Sequence, residues 1–108
     1  MSYDLASQLV PYLMKTGPIP LKDLVVRTSD PRETLRQLID LNKAGEVEFL
    51  HGNATIISDL LDRLNRAVHA RHASESDRAV LTVLDEVPAA RQILVSVSEK
   101  SFRRHLAT

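Results

Sequence analysis

Apolar positions along this chain change spacing from helical to extended and back. Residues 3–15 carry Leu5, Ala6, Leu9, Val10, Leu13 and Met14 on one stripe, the pattern of an amphipathic helix. Pro11 lies inside that stripe, so the helix is expected either to kink there or to begin later. Thr16-Gly17-Pro18 ends the segment, Ile19 suits a short strand, and Pro20 opens a second, short helix with Leu21, Leu24 and Val25 apolar. Ser29 or Asp30 is placed to cap a third helix, with Pro31 at its first position. If Asp30 is the cap, Glu33 completes a capping-box-like pair. Leu35, Leu38, Ile39 and Leu41 are the buried face, Ala44 lets the last turn pack closely, and Gly45 supplies a left-handed stop.

After Gly45 the period becomes that of a strand. Val47, Phe49 and Ile57 are expected to face one way, with Gly52-Asn53 as the turn of a hairpin. The back half returns to helical spacing. Asp59 is a candidate cap for a helix carrying Leu60, Leu61, Leu64, Ala67 and Val68. A polar break over residues 74–77 precedes Ala79, Val80, Leu81, Val83 and Leu84. Pro88 opens a last helix or kinks a continuing one. Residues 92–98 are strand-prone by β-branching, but helix-compatible residues flank them on both sides, so residues 89–106 are expected to be helical. No internal repeat or low-complexity tract is present.

A helix ending in Ala44-Gly45, followed by a hairpin and preceded by a Gly-Pro break and a short helix, resembles the recognition helix and wing of a winged helix-turn-helix domain. The resemblance covers about residues 3–57. It implies a mainly α fold: a winged helix domain with a small β-hairpin wing over residues 1–58. A helical extension over residues 59–108, of two or three helices, follows as a dimerisation or partner-docking region.

Length and composition fit one compact domain with an appendage. The apolar fraction is 44% and aromatics are 4%, so the core is built from aliphatic side chains. Without cysteine, disulfide and thiolate chemistry are excluded. No apolar run reaches the roughly 20 residues that cross a bilayer, and residues 1–4 lack a basic signal-peptide start. No membrane association and a cytoplasmic location are therefore expected. Fourteen basic residues balance fourteen acidic ones. Proteins that bind nucleic acid usually carry a basic excess, because phosphate neutralisation supplies much of the affinity. The position of each charge therefore matters more than the total.

The exposed face of the third helix is expected to present Arg32, Glu33, Arg36, Gln37, Asp40 and Lys43. Arginine and glutamine make bidentate contacts to guanine and adenine in the major groove, and Arg32 and Arg36 lie one turn apart. The same residues also suit a solvated helix face laced with pairs such as Arg36–Asp40. The wing tip His51-Gly52-Asn53 has no lysine or arginine to enter a minor groove. His69 and His72 have a chelating i,i+3 spacing but no third ligand near in sequence, so no metal site is assigned. Arg63, Arg66, Arg71 and Arg78 form one basic run, and Lys100, Arg103 and Arg104 another. These suit either a phosphate backbone or ordinary helix surface. No phosphate loop, nucleophile motif or acid cluster appears, so neither an enzyme nor a cofactor is expected.

Two functions follow. The first is a DNA-binding transcriptional regulator. The third helix enters the major groove of double-stranded DNA with Arg32, Arg36 and Gln37, while Lys22, Arg27 and Lys43 contact phosphates. Its back-half helices, rich in apolar residues, make a homodimer. The second is a winged-helix protein-protein interaction module that never meets nucleic acid, which suits the neutral charge and the acidic Glu46 and Glu48.

Overall fold

The computed structural model describes residues 9–26, 30–71 and 77–106. It is mainly helical, with a small three-stranded antiparallel sheet. In chain order the elements are α1 (Leu9–Thr16), β1 (Ile19–Pro20), α2 (Leu21–Val26), α3 (Pro31–Lys43), β2 (Val47–Leu50), α4 (Ala54–Arg71), α5 (Asp77–Glu86), a 3₁₀ turn (Pro88–Gln92), β3 (Leu94–Val97) and α6 (Glu99–Leu106).

The front half follows its local signals. Pro11 lies within α1, which runs on through it to Thr16. The expected core position Leu5 lies outside the described residues. Asp30 caps α3, its side chain accepting from the Glu33 backbone N–H at 3.2 Å, and Pro31 occupies the first position. At the other end Gly45 adopts φ +78. The Glu46 N–H bonds the Leu41 carbonyl at 2.8 Å and the Gly45 N–H bonds Asn42 at 3.0 Å. That pattern satisfies two carbonyls the helix would otherwise leave open. Asn42 then donates its side-chain amide to the Val47 carbonyl at 3.0 Å, tying helix end to strand start.

The hairpin expected at Gly52-Asn53 does not form. Asn53 caps a helix instead, accepting from the Ile56 N–H at 3.1 Å. Ile57 belongs to α4 and lies on one stripe with Leu60 and Leu64, all buried. Helical spacing over 57, 60 and 64 outweighs the local turn signal. Asp59 is accordingly not a cap but sits inside α4, paired with Arg63 at 3.1 Å. The boundary at residue 58 likewise falls within α4.

The partner strand for β2 comes from residues 94–97, where helix was expected. Val47 pairs with Val97 and Phe49 with Val95, while Ile19 and Pro20 of β1 pair with Val95 and Leu94. The sheet order is β1-β3-β2. β3 is flanked on both sides, which suits its β-branched Val95 and Val97. Pro20, which has no N–H to give, sits on an edge strand. Pro88 opens only a 3₁₀ turn, and α6 begins only at Glu99, where Ser98 caps it, its Oγ accepting from the Ser101 N–H at 3.1 Å.

One core joins both halves. Leu9, Leu13, Leu24, Leu35, Leu38 and Val47 are buried with Ile57, Leu60, Leu64, Val80, Val83, Leu84, Ile93 and Val95, and Leu41 and Phe49 pack against them. Much of the apolar content that motivated a dimer through the back half is thus consumed within a single chain. Leu81 on α5 and Phe102 and Leu106 on α6 are the large apolar side chains left exposed among the described residues.

Candidate nucleic-acid interface

α3 is held from behind and at both ends. Leu35 and Leu38 bury its inner face, α4 lies alongside it, and the Asp30 and Gly45 caps fix its limits. Its open stripe runs through Arg36, Asp40 and Lys43, all exposed, with Glu33 and Gln37 half-buried beside it.

Within that stripe Glu33 gathers two of the candidate readers. Its carboxylate accepts from the Arg36 guanidinium at 2.9 Å and from the Gln37 amide at 3.1 Å. Arg36 therefore pairs with Glu33 rather than with Asp40. Both partners are about half exposed, so the pair contributes little to stability and is open to exchange. Arg32 is placed differently. It is half-buried and its guanidinium reaches the Asn65 side-chain oxygen of α4 at 3.4 Å. The i,i+4 spacing of Arg32 and Arg36 gave no sign of this, because Asn65 lies 33 residues away and only the packing of α4 on α3 brings it near.

Of the expected phosphate contacts, Lys22 is exposed on the first turn of α2 and Lys43 is exposed on the last residue of α3. Neither makes an ion pair among the described residues. Arg27 lies outside them. The structure thus brings Arg36 and Gln37 together on one face with Lys43 further along it, and turns Arg32 toward α4.

The loop at residues 51–53 offers little to a nucleic acid. His51 is exposed with φ +62, and the Asn53 side chain is engaged in capping α4. No known protein family, curated protein or solved structure matches the chain.

Among the described residues of the two basic runs, Arg63, Arg103 and Arg104 are engaged by acids. Arg63 contacts Asp59 at 3.1 Å and Glu86 at 3.5 Å, linking α4 to α5, and Arg66 reaches the Asp62 carbonyl at 3.4 Å. The side chains of Arg71 and Arg78, and His72, lie outside the described residues. His69 is exposed on α4. Among the described residues no three metal-ligating side chains converge.

A polar cluster that sequence reasoning did not assemble fastens α6 to the turn after α3. The Ser98 hydroxyl donates to the Gly45 carbonyl at 2.6 Å, and the Ser98 N–H bonds the Glu46 carbonyl at 3.0 Å. The Glu46 carboxylate accepts from the Ser101 hydroxyl at 2.6 Å and from the Arg104 guanidinium. The Ser101 hydrogen bond, followed by that from Arg104, holds the Glu46 carboxyl below its ordinary value. The signal present in the sequence was Ser98 as a cap. Its counterpart Glu46 lies more than 50 residues away.

Proposed function

We propose that this chain is a winged helix-turn-helix domain that reads double-stranded DNA with α3. The observation that carries this reading is the exposed stripe Arg36–Asp40–Lys43 on a helix capped at both ends and packed from behind. The order α1-β1-α2-α3-β2, closed by β3 between β1 and β2, supports the family assignment. In this reading residues 51–93, containing α4 and α5, stand where a winged helix has only a hairpin tip. Arg36 and Gln37 exchange Glu33 for base edges in the major groove, and Lys22, Lys43 and Arg27 hold the flanking phosphates. Arg32 contributes if it leaves Asn65. A homodimer, with one α3 per half-site, suits this use.

Fluorescence anisotropy on a random duplex pool over a salt series tests the reading. Three or so phosphate contacts predict a slope of log K against log salt of about −2 to −3. Arg36→Ala should lower affinity for a selected site and relax its sequence preference. Absence of binding to any duplex at low salt overturns the reading.

One observation favours a second reading, the protein-interaction module. Cations and carboxylates on the α3 face are evenly matched, with Glu33 occupied by both candidate readers. A partner presenting mixed charge suits such a surface better than a polyanion does. A chain that ignores DNA yet loses its partner on Arg36→Ala would select this reading.

A further inference from the structure

The outer face of α6 has a pattern that matches itself. Ser101 and Arg104 turn inward to Glu46. The opposite side of the helix carries Phe102 and Leu106, which are 42% and 66% exposed and lie one turn apart. Beside them Glu99 and Arg103 pair at 2.5 Å, with side chains 75% and 76% exposed. An acid one turn before a base, next to an apolar pair, is complementary to the same helix run in reverse. Set antiparallel, Glu99 of one copy faces Arg103 of the other, and the crossing centres at residue 101, next to Phe102. Both salt bridges then form between copies at little cost, because an exposed pair within one helix is worth little on its own.

We propose that the face of α6 formed by Glu99, Phe102 and Arg103, with Leu106 at its margin, is a two-fold homodimer contact. Two-fold symmetry requires a patch to be complementary to itself, and this patch satisfies that in its charge pattern. The polar anchoring of α6 on Glu46 and Gly45 fixes the helix so that the face is presented as one surface. Lys100, exposed on the flank, remains outside the contact. A pair of eight-residue helices covers less than the roughly 1,200 Å² of a standard stable interface, so association is expected in the range of about 10 µM to 1 mM. The proposal is independent of DNA binding, since it concerns the free protein.

Sedimentation velocity of the full chain over that concentration range tests it. The unaltered chain should pass from monomer to dimer, and Phe102→Ser should shift the midpoint at least about tenfold upward, with its melting temperature unchanged. The decisive arm uses two charge reversals. Glu99→Arg gives a chain with two cations on this face, and Arg103→Glu gives a chain with two acids. Each alone should stay monomeric, whereas an equimolar mixture should form a heterodimer. A monomer at every concentration overturns the proposal. So does a dimer that persists in both reversed chains, or a mixture that associates no better than its components.

Discussion

Gly52 sits in the turn between β2 and α4, pressed against the residue that leads into β3. A Cβ placed on it would lie 2.4 Å from the Ile93 Cγ1 and 2.7 Å from its Cδ1. Non-bonded carbons are at rest about 3.5–4.0 Å apart, so the overlap exceeds 1 Å at the closer atom. Ile93 is fully buried and is not a flexible chain end, so it yields only by moving its neighbours. Overpacking of this kind costs about 1–3 kcal/mol. Against it, alanine restricts the unfolded chain and returns about 0.4–1 kcal/mol. The net expectation for Gly52→Ala is a loss of about 1–2 kcal/mol, equivalent to a fall in melting temperature of about 5–15 °C for a chain of this size. Far-UV circular dichroism during heating, with urea titration for the free energy, measures it. A double-mutant cycle isolates the cause: Ile93→Ala alone should cost about 2–5 kcal/mol, and measurably less when Gly52→Ala is already present. An unchanged or raised stability for Gly52→Ala, or strict additivity in the cycle, would refute the claim that this turn rests on Ile93.

Leu38→Ala should cost about 2–5 kcal/mol by thermal melt, because Leu38 is wholly buried at the centre of the α3 inner face. His51→Gly should stabilise the fold by roughly 1 kcal/mol in a urea titration, since His51 holds a left-handed φ of +62. The attachment of α6 should depend on pH. The Glu46 carboxyl is lowered in the folded state, so its contribution is complete above the ordinary carboxylate range and is lost as pH falls through the lowered folded value. Amide exchange in α6 should accelerate over that acid window, and Glu46→Gln should abolish the dependence; an identical profile in both proteins would contradict the role assigned to Glu46. On DNA, Arg36→Ala should cost about 1–3 kcal/mol at a preferred site, whereas Lys43→Ala should weaken binding to all sequences alike and reduce the salt slope by about 1.

The limits of α3 were legible because each depends on residues within a turn of one another: Asp30 and Pro31 at one end, Ala44 and Gly45 at the other. The core positions Leu35, Leu38 and Val47 were legible from periodicity. The errors cluster where a local signal competes with a distant one. Gly52-Asn53 reads as a hairpin turn, yet Asn53 serves equally as a helix cap, and the stripe of Ile57, Leu60 and Leu64 decides between them. Residues 94–97 become a strand because β1 and β2 lie 75 and 47 residues earlier, at positions such as Ile19 and Val47, to pair with them. Of the candidate site, Arg36, Gln37 and Lys43 share a face as helical spacing requires. The turning of Arg32 to Asn65 depends on α4, which no short window around Arg32 contains.

The placement of β3 between its two partners has a consequence for the nascent chain. β1 and β2 do not pair with each other; each meets only β3. A ribosome that has finished β2 has therefore released two strands with nothing to bond to. Synthesis must proceed from Leu50 to Val97 before the sheet closes, about 2–10 s at ordinary elongation rates. During that interval α3, complete with both caps, has α2 and β2 beside it but still lacks α4, which packs alongside it in the finished fold. The chain's exposure to chaperones and to misassociation is thus set by the length of chain between β2 and β3, and shortening residues 51–93 would shorten it.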